Sequence, residues 1–345
     1  MGITNQEYFL LFLISFIFVG ALTPLMRKIA IKTEVFDRPN SSHKSHKKPV
    51  PYLGGVAIII GVLSVSFAAS LISDFTSTTF WLAISVLGPA LLLGLIGLWD
   101  DLRNLAPLPR FIAQTFAGIF TAISLIVTDN LGNPTGSILF NSFITIIWVV
   151  GICNSINFFD NLDGGAAGTV AISSLGLTYM ALDGDQYLIA AMSIVTAGST
   201  LGFLVWNKNP AKIYMGDAGA LFLGVLLAIL TLRFEPTSST QIGSYLTPFF
   251  LLALPILDTS VAVLSRIRRN ISPFQGGQDH LSHRLIRLGY SRKKSALSLW
   301  ALSGTFMIAS LILSKANSEI SSFLIFISCV FWLFLFYIFF KLKDF

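Results

Sequence analysis

The sequence predicts an all-α protein: a polytopic membrane helix bundle of about 11 transmembrane helices, with the N-terminus outside and the C-terminus inside. Hydrophobic residues make up 54% of the 345 residues, charged residues only 12%, and the mean hydropathy is +0.76. Apolar runs long enough to span a bilayer follow one another along the chain, and Lys and Arg fall mainly in every second connection between them. Because soluble domains carry about 25% charged residues, a soluble class is excluded.

A spanning helix needs about 20 mostly apolar residues. The stretches free of Asp, Glu, Lys and Arg are 8–26, 49–73, 75–99, 111–128, 130–159, 164–182, 186–207, 218–232, 236–257, 295–314 and 320–340. The stretch 218–232 is short, and Arg233 is expected to snorkel and lengthen it. The stretch 236–257 is expected to continue past Asp258 to Ser265. No polar stretch is long enough for an appended soluble domain, so 1–345 is predicted to be one integral membrane domain.

The basic residues predict the orientation. All of the 23 Lys and Arg residues except Arg233 and Lys315 fall in the segments 27–50, 100–110, 157–168, 207–219, 266–294 and the tail after 340. By the positive-inside rule these segments face the cytoplasm. Topology and anionic headgroups account for the net charge of +6, so no nucleic acid partner is predicted.

Acidic residues gather at the predicted cytoplasmic ends of the spans. They are Asp100, Asp101, Asp160, Asp163, Asp217 and Asp258. Each alone could be a loop charge, or in the case of Asp217 a helix N-cap. Together they would repel one another unless a cation neutralises them, and ionisable groups at span ends mark function by default. Few carboxylates, completed by water and phosphate, suit Mg²⁺, and Asn157 adds a neutral oxygen beside Asp160.

Basic residues and glycines complete the pattern. The segment 266–294 is rich in arginine and contains His280 and His283, and the first cytoplasmic loop contributes Lys47 and Lys48. Arginine forks match phosphate oxygens, so carboxylates and arginines on one face predict a metal–diphosphate site. The alternative for the cations is an orientation signal only. The glycines that flank Asp163 and Asp217 allow either close approach of a ligand or close helix packing.

At these residues the chain resembles the polyprenyl-phosphate N-acetylhexosamine-1-phosphate transferases, and most closely their N-acetylglucosamine branch. The resemblance covers about residues 37 to 290. The motifs that carry it, in order, are Lys47-Lys48-Pro-Val-Pro-Tyr-Leu-Gly-Gly, Asp100-Asp101, Asn157-Phe-Phe-Asp160-Asn-Leu-Asp163-Gly, Pro210-Ala-Lys-Ile-Tyr-Met-Gly-Asp217, Pro255-Ile-Leu-Asp258-Thr and Asp279-His280-Leu-Ser-His283-Arg284.

The resemblance implies a reaction in which undecaprenyl phosphate attacks the β-phosphorus of a UDP-amino sugar and UMP leaves. It implies Mg²⁺, or Mn²⁺, as the cofactor. It also implies a role for each site residue. The implied catalytic residues are Asp100, Asp101, Asp160 and Asp163; the metal ligands are Asn157 and Asp217; the substrate-binding residues are Lys47, Lys48, Asn154, Lys212, Asp258, Arg266, His280, His283 and Arg284.

Two points stay open at this stage. Many relatives have His-x-His-His in the last loop, whereas here Ser282 takes the third position, which puts the choice of sugar in doubt. The lipid phosphate is largely a dianion at pH 7, so a general base has little proton to remove. One of Asp100 and Asp101 is therefore expected to be a metal-shell or positioning residue.

The rival functions are a secondary transporter, a membrane scaffold and a phospholipid headgroup transferase. The oligomeric state is open, and a homodimer is one of the alternatives.

Overall fold

The computed structural model describes residues 5–37, 49–72, 76–132, 134–238, 240–273 and 276–342. Within these ranges the chain forms thirteen helices. They are α1 (Asn5–Lys32), α2 (Gly54–Ile72), α3 (Ser77–Arg103), α4 (Pro107–Val127), α5 (Ile138–Phe159), α6 (Gly165–Asp183), α7 (Tyr187–Asn207), α8 (Gly216–Arg233), α9 (Gln241–Leu251), α10 (Ala253–Arg268), α11 (Leu281–Arg287), α12 (Arg292–Leu313) and α13 (Ser318–Lys341). The predicted substrate-binding Lys47 and Lys48 lie outside the described residues.

The membrane layout confirms the predicted all-α bundle of about 11 spans, and the orientation of the termini stays a prediction. Among the described residues, ten helices are long and apolar enough to cross a bilayer, and α9 with α10 forms an eleventh span if the pair is counted as one. That pair is bent by 72° at Leu252, a break that was not predicted. Pro255, in the first turn of α10, has no N–H to bond to the carbonyl of Leu251, so a helical hydrogen bond is missing at the break.

One short element departs from the all-α prediction. Phe36–Asp37 (β1) pairs with Val50–Pro51 (β2) as an antiparallel ribbon, with Phe36 opposite Pro51. The ribbon continues into Tyr52, whose N–H donates to the carbonyl of Val35. It therefore places Asp37 and Tyr52 beside the start of α2.

The centre of the bundle is α8, which is apolar on all sides and buried along almost its whole length. Neighbouring helices approach it through glycine. A Cβ on Gly55 would lie 2.1 Å from the N of Gly219, and a Cβ on Gly97 would lie 2.3 Å from the carbonyl O of Asp217. Close packing is therefore what these glycines provide. It brings α2 and α3 against the first turn of α8, where Asp217 lies.

Arg233, at the other end of α8, does not snorkel as predicted. Its side chain is buried, and Nη2 donates to the hydroxyls of Ser85 (2.9 Å) and Ser124 (2.7 Å). It thus connects α8 to α3 and α4 at the end of the bundle that is remote from the acidic residues. The hydroxyls offered by α3 and α4 keep the guanidinium inside the protein.

Candidate active site

A cavity of about 450 Å³ opens at the end of the bundle where the acidic residues gather. Its volume lies in the range of small-molecule sites. Nine predicted site residues line it: Asp100, Asp101, Asn157, Asp160, Asp163, Asp217, Arg266, His280 and His283. The structure thus brings together residues from four separate sequence motifs, together with Arg266.

Two carboxylates from different helices meet in this cavity and share one arginine. Asp100, in the last turn of α3, and Asp217, in the first turn of α8, lie within hydrogen-bonding reach of each other. Nη1 of Arg110 lies 2.6 Å from Oδ2 of Asp100 and 2.7 Å from Oδ2 of Asp217. Asn157 holds the other oxygen of Asp217, donating from Nδ2 at 2.7 Å. One cation thus bridges two acids that would otherwise repel.

Arg110 was not among the predicted site residues and counted only as one of the cytoplasmic basic residues. The turn that carries it explains its position: Asn104 ends α3 in the left-handed conformation, and Pro107 begins α4 with its N–H absent. Arg110 is therefore on the first turn of α4, facing the end of α3. A basic residue on the first helical turn after an Asp-Asp pair was the available signal.

Asp101 has a different environment from Asp100. Its Oδ1 accepts from the N–H of Asp217 at 2.8 Å, and its Oδ2 accepts from the N–H of Ala218 at 3.0 Å. Both oxygens thus satisfy the free N–H groups at the start of α8. Gly216 makes this possible, because its φ is +74° and a Cβ there would lie 2.5 Å from Oδ2 of Asp101. Asp101 holds Asp217 in place.

The donor set decides whether a divalent cation fits. Among the described residues, no three or more His, Cys, Asp or Glu side chains are arranged to hold a metal ion, so there is no closed protein cage. Asp100, Asp217 and Asn157 offer an open set of oxygens between two adjacent carboxylates. Mg²⁺ is bound in this way, through one or two carboxylates with water and substrate phosphate completing the shell. The residues therefore fit Mg²⁺ with substrate present.

Asp160 and Asp163 lie on the turn between α5 and α6. Removal from solvent, followed by the nearness of Asp217 and Asp101, raises the pKa of Asp160 well above its usual range. Asp163 accepts from Nδ2 of Asn209 at 2.7 Å and from the N–H of Ala211 at 3.1 Å. Asp163 thus fixes the loop before α8, while Asp160 is the carboxylate available to a ligand. The catalytic roles implied for both stay predictions.

Basic side chains also line the cavity. Arg266, at the end of α10, binds Asp279 through two hydrogen bonds of 2.8 Å, and its Nη2 lies 3.2 Å from Nε2 of His280. Nδ1 of His280 lies 2.7 Å from Oδ2 of Asp258. Arg292, at the start of α12, lines the cavity with Nη1 3.9 Å from Oδ1 of Asp163. Arginines and carboxylates thus share one cavity, as a diphosphate site requires.

His283 is one turn beyond His280 on α11. Burial, and secondly the nearness of His280, lower the pKa of His283 to about 4. Ser282, where many relatives have histidine, donates its hydroxyl to the side-chain oxygen of Asn161. A serine therefore connects α11 to the turn that carries Asp160, at the position where the sequence left the choice of sugar open.

Four predicted substrate-binding residues do not line the cavity. Asn154 pairs with Gln114, with Nδ2 2.7 Å from Oε1, one turn deeper in α5. Nζ of Lys212 lies over the ring of Trp206, 5.2 Å from the ring centroid. The remaining two, Asp258 and Arg284, are fully buried.

The guanidinium of Arg284 is occupied by protein atoms. Nε donates to the carbonyl of Asp279 at 2.8 Å, and Nη1 donates to the carbonyls of Phe339 (2.9 Å) and Leu342 (2.5 Å). Those last two carbonyls are at the C-terminal end of α13, where intrahelical partners are missing. Arg284 therefore holds α13 against α11, and no part of it faces the cavity.

Two tyrosines of the cavity wall had no role assigned from the sequence. Tyr52 and Tyr214 face each other at 6.4 Å between ring centroids. Burial, and secondly Asp37, raise the pKa of Tyr52, so it remains a phenol. Both belong to motifs recognised in the sequence, but no spacing rule indicates that β2 and the loop before α8 meet. That contact depends on the N–H of Tyr214 donating to the carbonyl of Pro51 at 2.9 Å.

Comparison with known proteins shows the family of this chain. Residues 83–235 match the profile of glycosyl transferase family 4. The chain is 35% identical over 325 residues to a probable undecaprenyl-phosphate N-acetylglucosaminyl 1-phosphate transferase of Bacillus subtilis, covering 93% of this chain and 88% of that protein. It is 34% identical to a decaprenyl-phosphate N-acetylglucosaminephosphotransferase of Mycobacterium leprae, covering 88% and 83%.

A more distant branch is similar as well. The chain is 31% identical over 242 residues to the phospho-N-acetylmuramoyl-pentapeptide-transferase of Bacillus pumilus, covering 64% of this chain and 72% of that protein. The region 83–235 that matches glycosyl transferase family 4 contains Asp100, Arg110, Asn157 and Asp217. The chain therefore belongs to glycosyl transferase family 4, the polyprenyl-phosphate N-acetylhexosamine-1-phosphate transferases.

Proposed function

We propose that this protein transfers the sugar 1-phosphate of a UDP-N-acetylhexosamine, by default UDP-N-acetylglucosamine, to undecaprenyl phosphate. The products are undecaprenyl-diphospho-sugar and UMP. The reaction would be the first membrane step of a cell-envelope glycan such as a teichoic acid or an O-antigen. The site would face the cytoplasm of the bacterial plasma membrane, because the cavity opens at the end of the bundle that carries most Lys and Arg residues.

The observation that carries the proposal is the presence of carboxylates and arginines in one cavity. Asp100 and Asp217 form an acidic wall with Arg110 between them, and Arg266 and Arg292 line the same cavity. Carboxylates of this kind bind a divalent cation, and arginines bind phosphate oxygens. A diphosphate that enters the cavity would meet both kinds of partner.

The bond changes follow from the two substrates. An oxygen of the lipid phosphate forms a bond to the β-phosphorus of the UDP-sugar, and the bond from that phosphorus to the bridging oxygen breaks. UMP leaves with the bridging oxygen and its electron pair. The attacking phosphate is largely a dianion at pH 7, so no base is required to activate it. The main barrier is the approach of two anions, which charge screening lowers.

Each residue of the acidic wall then has a role. Asp100, Asp217 and Asn157 would hold Mg²⁺, which supplies positive charge at the diphosphate when bound. Arg110, whose Nη1 pairs with Asp100 and Asp217, would screen the same carboxylates. Asp101 would act by position, since both its oxygens hold the start of α8. Of the Asp-Asp pair, Asp100 is the proposed ligand and Asp101 the positioning residue.

The rival functions fit this geometry less well. Transporter sites lie near the midplane of the bilayer on broken helices. Here the cavity lies at one end of the bundle, on the terminal turns of α3, α4 and α8. A scaffold gives no reason for two facing carboxylates. A phospholipid headgroup transferase is distinguished by its donor substrate.

Release of UMP tests the proposal. Purified protein with Mg²⁺ and undecaprenyl phosphate should release UMP from UDP-N-acetylglucosamine, and a panel of UDP-sugars then identifies the donor. Asp217→Asn should abolish release, whereas Asp183→Asn, which alters an exposed acid that pairs with Lys315, is the matched control and should retain it. Absence of UMP with every UDP-amino sugar would refute the proposal.

A further inference from the structure

Asp258 is a buried carboxylate that the mechanism above does not use. It lies on α10 with no exposed surface, outside the cavity lining. Burying a carboxylate is costly unless its oxygens are hydrogen-bonded. Asp258 meets that requirement with two contacts: Oδ1 accepts from the N–H of Leu281 at 2.7 Å, and Oδ2 lies 2.7 Å from Nδ1 of His280.

The partners of His280 determine where its ring proton lies. Arg266 can only donate, so Nε2 of His280, 3.2 Å from Nη2 of Arg266, must accept. The carboxylate of Asp258 can only accept, so Nδ1 must carry the proton. For a neutral ring, both constraints select the same tautomer, with the proton on Nδ1. A ring with the proton on Nε2 would place two N–H groups against each other at Arg266 and two lone pairs against each other at Asp258.

The tautomer matters because His280 helps to hold Arg266. The guanidinium gives Nε and one hydrogen of Nη2 to Asp279, one hydrogen of Nη1 to the carbonyl of Pro273, and the second hydrogen of Nη2 to His280. Arginine has five N–H donors, so the described residues leave one hydrogen on Nη1 without an acceptor. Arg266 also lies over the ring of Phe158 at 5.4 Å. The guanidinium is thus held in one orientation at the edge of the cavity.

We propose that Asp258 is a positioning residue that fixes the Nδ1–H tautomer of His280, and that His280 in this form orients Arg266 toward an anionic oxygen of the substrate. The series Asp258, His280, Arg266 runs from a site without solvent access to the cavity wall. Asp258 and His280, predicted to bind substrate, thereby act through Arg266. The effect on catalysis rests on the proposed function, whereas the tautomer does not.

The substitution Asp258→Asn separates orientation from packing. Asparagine has the same shape, and its Oδ1 can still accept from the N–H of Leu281. Its Nδ2 would then face Nδ1 of His280 and donate to it, which moves the ring proton to Nε2. The N–H groups of His280 and Arg266 would then oppose each other, and Arg266 would turn away. Loss of the carboxylate partner of a metal-binding histidine typically costs about 10- to 100-fold in activity, and a loss of similar size is expected here.

Histidine ¹⁵N NMR in lipid nanodiscs measures the tautomer directly. The chain contains four histidines, and His280→Gln identifies the His280 signals by their loss. In the wild-type protein, Nδ1 of His280 should carry the proton and Nε2 should be unprotonated. In Asp258→Asn, the proton should be on Nε2 instead. A wild-type His280 with the proton on Nε2 would overturn the proposal even if the Asp258 variant does not fold.

Activity supplies the second readout. Asp258→Asn should reduce kcat/KM for the UDP-sugar by about 10- to 100-fold, with unchanged thermal stability. Ser265→Ala, which removes the hydroxyl that Nη2 of Arg284 contacts at 3.2 Å, is the control for loosened packing of α11 and should keep both the tautomer and the rate. A reversed tautomer with full activity would overturn the link to Arg266. Failure of the transferase reaction itself would leave the tautomer result standing.

Discussion

Removing Arg110 tests the charge balance of the acidic wall. Its Nη1 is the only described side-chain cation within salt-bridge distance of Asp100 and Asp217, at 2.6 Å and 2.7 Å. All three groups are less than one-third exposed, at 25% for Arg110, 7% for Asp100 and 29% for Asp217. Arg110→Met removes the charge and keeps much of the apolar stem, so the two carboxylates would face each other without a bridging cation.

The magnitude follows from the local charge. Two unit charges 4 Å apart interact by about 4 kcal/mol at an effective dielectric constant of about 20. Loss of one preorganised charge-stabilising group costs about 2.7–4 kcal/mol of transition-state free energy, which corresponds to about 10²- to 10³-fold in kcat. Arg110→Lys keeps a point charge on a flexible stem but loses the rigid fork, so its loss should be smaller, about tenfold.

Release of UMP at saturating substrate and increasing Mg²⁺ is the assay. The rate of Arg110→Met should recover in part at high Mg²⁺, because the cation can occupy the position that the guanidinium leaves. Arg103→Met, which removes an exposed charge from the end of α3, is the control and should stay within about twofold of wild type. An Arg110→Met enzyme with kcat within threefold of wild type would refute the account of this wall.

Three further predictions concern the scaffold of the site. Gly216→Ala should lower the rate at least about tenfold, because a Cβ at φ +74° would push against the carboxylate of Asp101; an unchanged rate would exclude the positioning role of Asp101. Arg284→Met should lower the free energy of unfolding in detergent by about 3–5 kcal/mol, because it leaves buried carbonyls of α13 without a donor. A raised KM with an unchanged free energy of unfolding would instead indicate that Arg284 binds substrate. Burial lowers the pKa of His283 from 6.5 to about 4, so between pH 4 and pH 6.5 the unfolded chain binds a proton that the folded protein lacks. The free energy of unfolding should therefore fall by roughly 3 kcal/mol as the pH drops from 6.5 to 4. His283→Gln should flatten that pH dependence.

The sequence predicted the fold class because hydropathy and charge asymmetry report directly on spans. It did not predict the break at Leu252, because an apolar run reads the same whether the helix is straight or bent. Pro255 was the local signal. The buried position of Arg233 was also missed, since its hydroxyl partners come from α3 and α4, more than 100 residues away in sequence.

The sequence predicted which residues lie near the cavity better than it predicted what each of them does. Five of the six acids, Asn157, Arg266 and the two histidines line one cavity, whereas Asp258 does not. Arg284 and Asp258 looked equivalent to them in sequence, but tertiary contacts turn one toward α13 and the other toward His280. Side-chain direction depends on which helix packs alongside, and a motif does not contain that information.

The fate of the β-phosphorus tests the central claim most directly. With UDP-N-acetylglucosamine labelled by ³²P at the β-phosphate, undecaprenyl phosphate and Mg²⁺, the proposed reaction carries the label into the lipid product and leaves UMP unlabelled. Transfer of the sugar alone would leave the label in UDP. Label in the lipid with wild-type protein and none with Asp217→Asn is the predicted result. Label that stays in the nucleotide while the lipid gains a sugar would contradict the account.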